Sequence, residues 1–386
     1  MPHQARSFPA PPDADEARSL LGEIAAAPCR LAPVAADRPL ALYGAGNLGR
    51  LARDFLGSVG HDLSFVVDRN AGALAQQDWP GIDLFAPAEV PDKAKRETRL
   101  AVAVVTAPYV PIERSLLAAG FGDVVPFYDV SESFRDRHPL SNGWFAPPLS
   151  RQDRDCTSRV LALWHDDISR AQHLQFLAWR RLRAEWSFAE APPPGQRFFI
   201  PEVLRVLRGD EIFVDAGAYD GVVTQGFLQA TRGACRHIFA IEPDPDNRAR
   251  LLHAVNGDTR ISIDDFALAE TEGEATFHAG LGYASQLAET GRMRVATRPL
   301  DALGLSPSFI KLHLEGGELA ALKGARQTLL AHRPIVAATV YHNADGIWRT
   351  PLWLMETLPD YRFLFRAHSW CGTGAVVYAI PNERAA

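Results

Sequence analysis

Positive charge is in short supply: 40 Lys and Arg stand against 46 Asp and Glu, for a net charge of −6. No basic tract is present to neutralise phosphates, so nucleic acid is not an expected partner. Cysteine is scarce too. Cys29, Cys156, Cys235 and Cys371 are scattered over 386 residues with no C-x-x-C spacing. That pattern suggests neither a disulfide framework nor a zinc site, and it suits idle thiols in a reducing compartment. Long apolar runs are missing, since no stretch approaches the ~20 residues of a membrane-spanning helix. The opening MPHQARSFPAPPDADEAR lacks the apolar segment of a signal peptide. A cytoplasmic protein without membrane insertion is expected; its oligomeric state is not legible.

Hydrophobic residues make up 47% of the chain, enough to fill ordinary cores. At 386 residues the chain exceeds the ~250–300 that one core supports, so two or more domains are expected. Residues 1–37 read as a disordered tail, rich in Pro, Asp and Ala, and a short helix with an apolar stripe through Leu20, Leu21 and Ile24. Residues 38–130 alternate strands and helices, the pattern of a doubly wound parallel sheet.

This segment carries GAGNLG after a strand and before a helix, with Asp68 about 20 residues on. Gly44, Gly46, Gly49 and Asp68 are thus candidates to hold a nucleotide or nucleotide sugar. The same glycines would equally serve a tight strand–helix turn. Residues 131–195 read as a helical connector closed by APPPG. Within it, His165, Asp166 and Asp167 are adjacent on a helix and point apart, so they read as a solvated face and not a metal cluster.

Residues 196–386 repeat the strand–glycine–helix design with different chemistry. The run Ile212–Val214 leads into DAGAYDG, and a second apolar run, His237–Ile241, ends in Glu242. Asp215 stands where a dinucleotide loop would have a glycine. An acid there suits a cationic ligand with an amino-acid end, such as S-adenosylmethionine (SAM), better than a pyrophosphate. Glu242 is placed to take ribose hydroxyls.

Six strings fall in order here: VDAGAYDG, AIEPD, FALAETEGEATF, RPLDAL, FIKLHLEGGELAALKGA and RPIVAATVYH. The chain resembles FkbM-type methyltransferases over roughly Phe198–Pro381. The resemblance implies that this part has a class I SAM-dependent methyltransferase fold; with the strand–helix alternation of residues 38–130 it makes two doubly wound Rossmann-like α/β domains joined by the connector. It implies O-methylation of a sugar, glycoconjugate or polyketide-like hydroxyl. The SAM pocket would use Asp215, Gly217, Ala218, Tyr219, Asp220, Gly221 and Glu242, with Asp265 (or Asp264) near the adenine.

The strand starting at Phe309 puts Lys311, His313 and Glu315 on one parity, toward the strand's ligand-facing end. The family's usual string has aspartate where His313 stands. That places any metal role of the position in doubt, and no metal is expected. His342 ends the next strand and is the candidate base, with His313 and Glu315 holding the acceptor hydroxyl. Arg366, His368, Trp348 and Trp370 are weaker acceptor contacts. Two other readings stay open: a nucleotide-sugar or NAD-dependent enzyme with its chemistry in the first domain, and a SAM-binding module that has lost catalysis.

Overall fold

A computed structural model describes residues 2–28, 32–74, 78–140, 143–192 and 196–384. Cys29 and Gly195 lie outside the described residues. The strands, in chain order, are β1 Gln4–Phe8, β2 Leu40–Tyr43, β3 Leu63–Val67, β4 Leu84–Phe85, β5 Arg99–Val102, β6 Asp123–Pro126, β7 Ala184–Phe188, β8 Ile212–Ala216 and β9 His237–Ile241. They continue as β10 Ile261–Asp264, β11 Ala267–Leu268, β12 Gly273–His278, β13 Gln286–Leu287, β14 Met293–Arg298, β15 Phe309–Leu312, β16 Ile335–Thr339, β17 Tyr361–Ala367 and β18 Ala375–Pro381.

Two large sheets organise the mixed α/β molecule. The first is all parallel, in the order β4-β3-β2-β5-β6. The second has the order β10-β9-β8-β15-β16-β18-β17, with six strands running one way and β18 antiparallel between β16 and β17. Strand order reverses at β8/β15, and in such sheets ligands bind outside the carboxyl ends at that reversal. Strands β8, β15 and β16 are buried on both faces, as their apolar runs require.

Between β10 and β15 the chain folds a small sheet, β11-β14-β12-β13, which the sequence reading did not anticipate. Its alternation in GEATFH and MRVATR carried the signal.

The opening residues are not the disordered tail expected from composition. Strand β1 pairs in parallel with β7, 180 residues away, in the register Gln4↔Ala184 to Phe8↔Phe188. Phe8 stacks on Phe188 with ring centroids 4.4 Å apart, and the His3 backbone N–H donates to Glu113 Oε2 at 2.8 Å. These are long-range partners that a local composition argument does not see.

The connector contains the helices Arg151–Leu163 and Asp167–Leu182. Asp166 caps the second helix through the Ser169 N–H and pairs with the buried Arg366, so it is a structural anchor and not a solvated face. From that helix the buried Arg180 donates to the carbonyls of Gly143, Tyr341 and Asn343. This fixes the segment after β16, where His342 lies.

Candidate active site

Strand β8 delivers Asp215 to the centre of the second sheet and then turns sharply. Gly217 has φ +73°, and a Cβ there would lie 2.0 Å from the His313 carbonyl oxygen. Only glycine lets this turn pass so close to the end of β15. Asp215 is fully buried beneath the turn. It accepts from Lys311 Nζ at 2.8 Å and from the Thr224 hydroxyl at 2.7 Å. The same ammonium donates to the Gly217 carbonyl at 2.7 Å, so the ion pair holds the loop from below.

Above the loop lies a cavity of about 530 Å³. Its floor is Gly217, Ala218, Tyr219 and Glu242, and one wall carries Lys311 and His313. Phe266, Phe277 and Leu287, around and within the small sheet, close the other side. Its size and mostly apolar walls with a few fixed polar groups suit a small-molecule ligand. Glu242 accepts the Tyr219 N–H at 2.7 Å and the Asp244 N–H at 3.0 Å. Burial pushes its carboxyl above the usual range, while those amides pull the other way.

Of the SAM-loop residues expected from sequence, Gly217, Ala218, Tyr219 and Glu242 line this cavity. Asp215 lies under it. Gly221, Asp220 and Asp265 do not line it. Gly221 instead starts the helix Val222–Ala230, where a Cβ would come within 2.9 Å of Leu251 Cδ1. Asp220 faces a second cavity of about 580 Å³, which shares Tyr219, Gly282 and Tyr283 with the first. Asn47, Arg50 and His138 line its far side. Gly44, Gly46, Gly49 and Asp68 line neither cavity.

Strand β15 stops at Leu312, so simple alternation does not carry through to Glu315. Glu315 instead takes a left-handed conformation, φ +51°, which turns its side chain back between two imidazoles. Its Oε1 lies 3.1 Å from His313 Nε2 and 3.2 Å from His342 Nε2. The His313 and His342 rings are 5.3 Å apart and nearly parallel. Behind them Glu318 Oε1 receives His342 Nδ1 at 3.1 Å and the Thr339 hydroxyl at 2.6 Å, and Glu318 Oε2 accepts the Gly316 N–H at 3.0 Å.

Burial pushes His313 down to about 4 against the pull of Glu315. Burial also disfavours charge on His342, but Glu315 and its neighbours outweigh it and raise that imidazole well above its ordinary value. Burial would raise Glu315; His342 and His313 together hold it far below the carboxylate range. The two imidazoles converge, as their strands imply, but His313 lines the cavity while His342 sits behind Glu315.

The weaker acceptor candidates turn elsewhere. Arg366 is locked by Asp166 and Glu202, His368 bonds the Tyr378 hydroxyl, and Trp348 bonds Asp153. Trp370 lines a small side cavity with Trp179 and Cys371 and donates its backbone N–H to the Val105 carbonyl. Sequence reasoning passed over Arg197, Phe198, Asn247 and Tyr283, all on the cavity wall. No motif marks them, because they come from three separate segments.

An open sheet with one antiparallel strand next to its edge, and a cavity at its order reversal, belongs with the mixed α/β folds that resemble methyltransferases. Residues 215–367 match the family model "Methyltransferase FkbM domain", so that segment of the chain is similar to the FkbM methyltransferase domain. A crystal structure of Methyltransferase FkbM from Methylobacillus flagellatus aligns over 96% of this chain and 94% of that one, with a TM-score of 0.61 and 19% identity, which speaks to fold alone. The fibrillarin/Nop5p complex aligns over 45% of this chain and 74% of that one, at 15% identity and a TM-score of 0.32. Precorrin-6y C5,15-methyltransferase from Geobacter metallireducens aligns over 49% and 94%, at 15% identity and 0.30; neither alignment supports an argument. No curated protein matches the chain.

Among the described residues no helix is long and apolar enough to cross a membrane.

Proposed function

We propose that the protein is a SAM-dependent O-methyltransferase acting on a hydroxyl of a sugar, glycoconjugate or polyketide-like acceptor. The observation that carries this is the 530 Å³ cavity with Glu242 on its floor and His313 on its wall. The residues fit SAM: glycine-permitted turns allow close approach, a buried carboxylate faces the ribose position, and aromatic walls suit an adenine. When bound, SAM supplies an electrophilic methyl group. The chain's own contribution is alignment, dryness and proton uptake.

Alignment of acceptor oxygen with the methyl carbon can supply roughly 7–11 kcal/mol of the barrier. Phe198, Phe266 and Phe277 keep water from the reacting atoms. His313 is the imidazole that meets the acceptor hydroxyl. Glu315 and His342 stand behind it, and the cluster takes up the hydroxyl proton. On this reading residues 196–386 form a class I methyltransferase domain. Residues 38–130 form a Rossmann-like domain and 131–195 the connector, with 1–37 as an N-terminal extension. The reading does not extend to a second nucleotide on the N-terminal sheet, whose glycine loop lines neither cavity.

Isothermal titration with SAM, then transfer of label from methyl-labelled SAM to a library of hydroxylated acceptors, tests the proposal. Absence of SAM binding refutes it. Binding with label found on nitrogen or carbon refutes the O-methyl assignment alone.

A further inference from the structure

We infer that His313, Glu315 and His342 form a binding site for a divalent transition-metal cation. The inference stands on these side chains and not on the methyl-transfer reading. One ligand atom from each of the three lies within 4.8 Å of the others. The carboxylate oxygen is 3.1 Å from one imidazole nitrogen and 3.2 Å from the other. Ligand bonds of about 2.1 Å at angles between 90° and tetrahedral put neighbouring donor atoms about 3.0–3.4 Å apart. The two carboxylate–imidazole separations fall in that span before any ion is placed, and the imidazole nitrogens lie within 4.8 Å of each other.

Hydrogen bonding points the same way. Glu318 already collects the Leu314 and Gly316 N–H groups and the Thr339 hydroxyl, so it acts as an acceptor. His342 Nδ1 therefore carries the proton toward Glu318. In the neutral ring this leaves Nε2 with a lone pair aimed at Glu315 Oε1, an acceptor facing an acceptor. His313 Nε2 aims at the same oxygen, with the Tyr341 hydroxyl 3.1 Å from it. Either a proton on His342 Nε2 or a metal cation among these atoms resolves the conflict.

The Glu318–His342 pair has the form of the carboxylate that orients a metal-bound imidazole and sets its tautomer. Glu315 is held in a left-handed backbone conformation that costs a non-glycine residue energy, and strain of this kind gathers at functional sites. Arg197, 3.4 Å from the Tyr341 hydroxyl, is a nearby cation, and Lys311 on the same cavity wall is paired with Asp215. Two imidazoles and one carboxylate suit zinc, iron, cobalt or manganese better than calcium or magnesium. Open positions would face the cavity beside His313, where a bound hydroxyl would become more acidic.

The test uses the full chain, stripped with a chelator and titrated with Co²⁺ in the absence of SAM, with calorimetry and visible absorption as readouts. The expected result is one ion per chain, a cobalt ligand-field band, and displacement by Zn²⁺. His313→Ala should weaken binding at least tenfold, and His313→Asp should restore most of it by returning an oxygen ligand. Glu318→Gln should weaken it 10–100-fold, the usual effect of removing such a partner. If His313→Ala does not fold, His313→Asp and Glu318→Gln carry the comparison. No stoichiometric Co²⁺ binding by the wild-type chain, or equal binding by wild type and Glu318→Gln, overturns the site and leaves a proton as the bridging charge. SAM titration of the metal-free chain reports separately on methyl transfer.

Discussion

The two glycine loops of this chain look alike until their surroundings are compared. Each follows a buried strand, and each begins with a glycine at positive φ, +103° at Gly44 and +73° at Gly217. In each, the acid that ends the next strand accepts a loop amide. Asp68 takes the Ala45 N–H at 2.9 Å, and Glu242 takes the Tyr219 N–H at 2.7 Å. In each, a glycine lets backbone pass where a Cβ could not, since one on Gly49 would lie 2.0 Å from the Gly44 oxygen. The glycines and the acid therefore report how a strand turns into a helix.

What separates the loops lies below and above them. Below the second loop Asp215 faces Lys311 across the β8–β15 ladder; the matching pair under the first is Leu42 and Ala101. Above the second loop the small sheet and Tyr283 close a cavity, whereas Gly46 at the tip of the first is exposed. A buried charge pair and a roof mark a ligand site more securely than a glycine spacing does.

The largest expected effect comes from the pair itself. Lys311→Met strands a buried carboxylate and should cost about 3–5 kcal/mol of stability. The double variant Asp215→Leu/Lys311→Met imports the chemistry of the first loop. It should regain most of that stability, because an apolar pair packs without a desolvation penalty. It should still bind SAM poorly, because nothing then holds the Gly217 carbonyl. Denaturant melts with SAM titration decide the matter. A double variant with wild-type affinity would show that the pair is structural only.

A smaller effect separates the two acids. Glu242→Ala removes charge-assisted bonds worth about 1.5–3 kcal/mol each, so SAM affinity should fall about 10- to 150-fold. Asp68→Ala loses only a loop anchor and should leave that affinity unchanged. If the Asp68 variant weakens SAM binding as much, the first loop serves the same ligand and the contrast fails.

Much of this was legible locally. The run IFVDAG states a strand and its turn, Glu242 falls at the expected distance, and two strand-end histidines must meet when their strands are neighbours. What was hidden depends on long-range partners. The pairing of β1 with β7 spans most of the connector and the first domain. Lys311 reads as one polar residue on a strand until its register opposite Asp215 is known. The residues after Gly317 form two helices, Glu318–Lys323 and Arg326–His332. They break at Gly324, where a Cβ would lie 2.1 Å from the Ala269 oxygen. Which histidine reaches the cavity turned on the left-handed Glu315, for which no sequence rule exists.

The smallest effect concerns how each half is held, and it is read by pH. His173 is buried in the connector, where its ring accepts from Trp164 Nε1 at 3.0 Å and bonds the Ile347 carbonyl at 2.6 Å beside the second sheet. Burial pushes it down to about 4, although the Ile347 carbonyl favours the proton. His138 is held at about 4 too, by burial and then His278, and it packs on Phe55 under the first sheet. A histidine with a depressed folded pKa stays neutral in the folded chain while the unfolded chain takes a proton below about 6.5. Its contribution is therefore complete above 6.5 and is lost as pH falls toward 4. At pH 5.5 the loss is about 1.4 kcal/mol for a fully buried ring. Thermal melts at pH 7.5 and 5.5 should show wild type losing stability. His173→Gln should lose less, because its amide does not titrate; His138→Gln does the same for the other half. Hydrogen exchange at pH 5.5 then shows which sheet loosens first. The second sheet should loosen in the His138 variant and the first in the His173 variant. Equal acid sensitivity in wild type and both variants would mean that neither ring stays neutral in the folded chain.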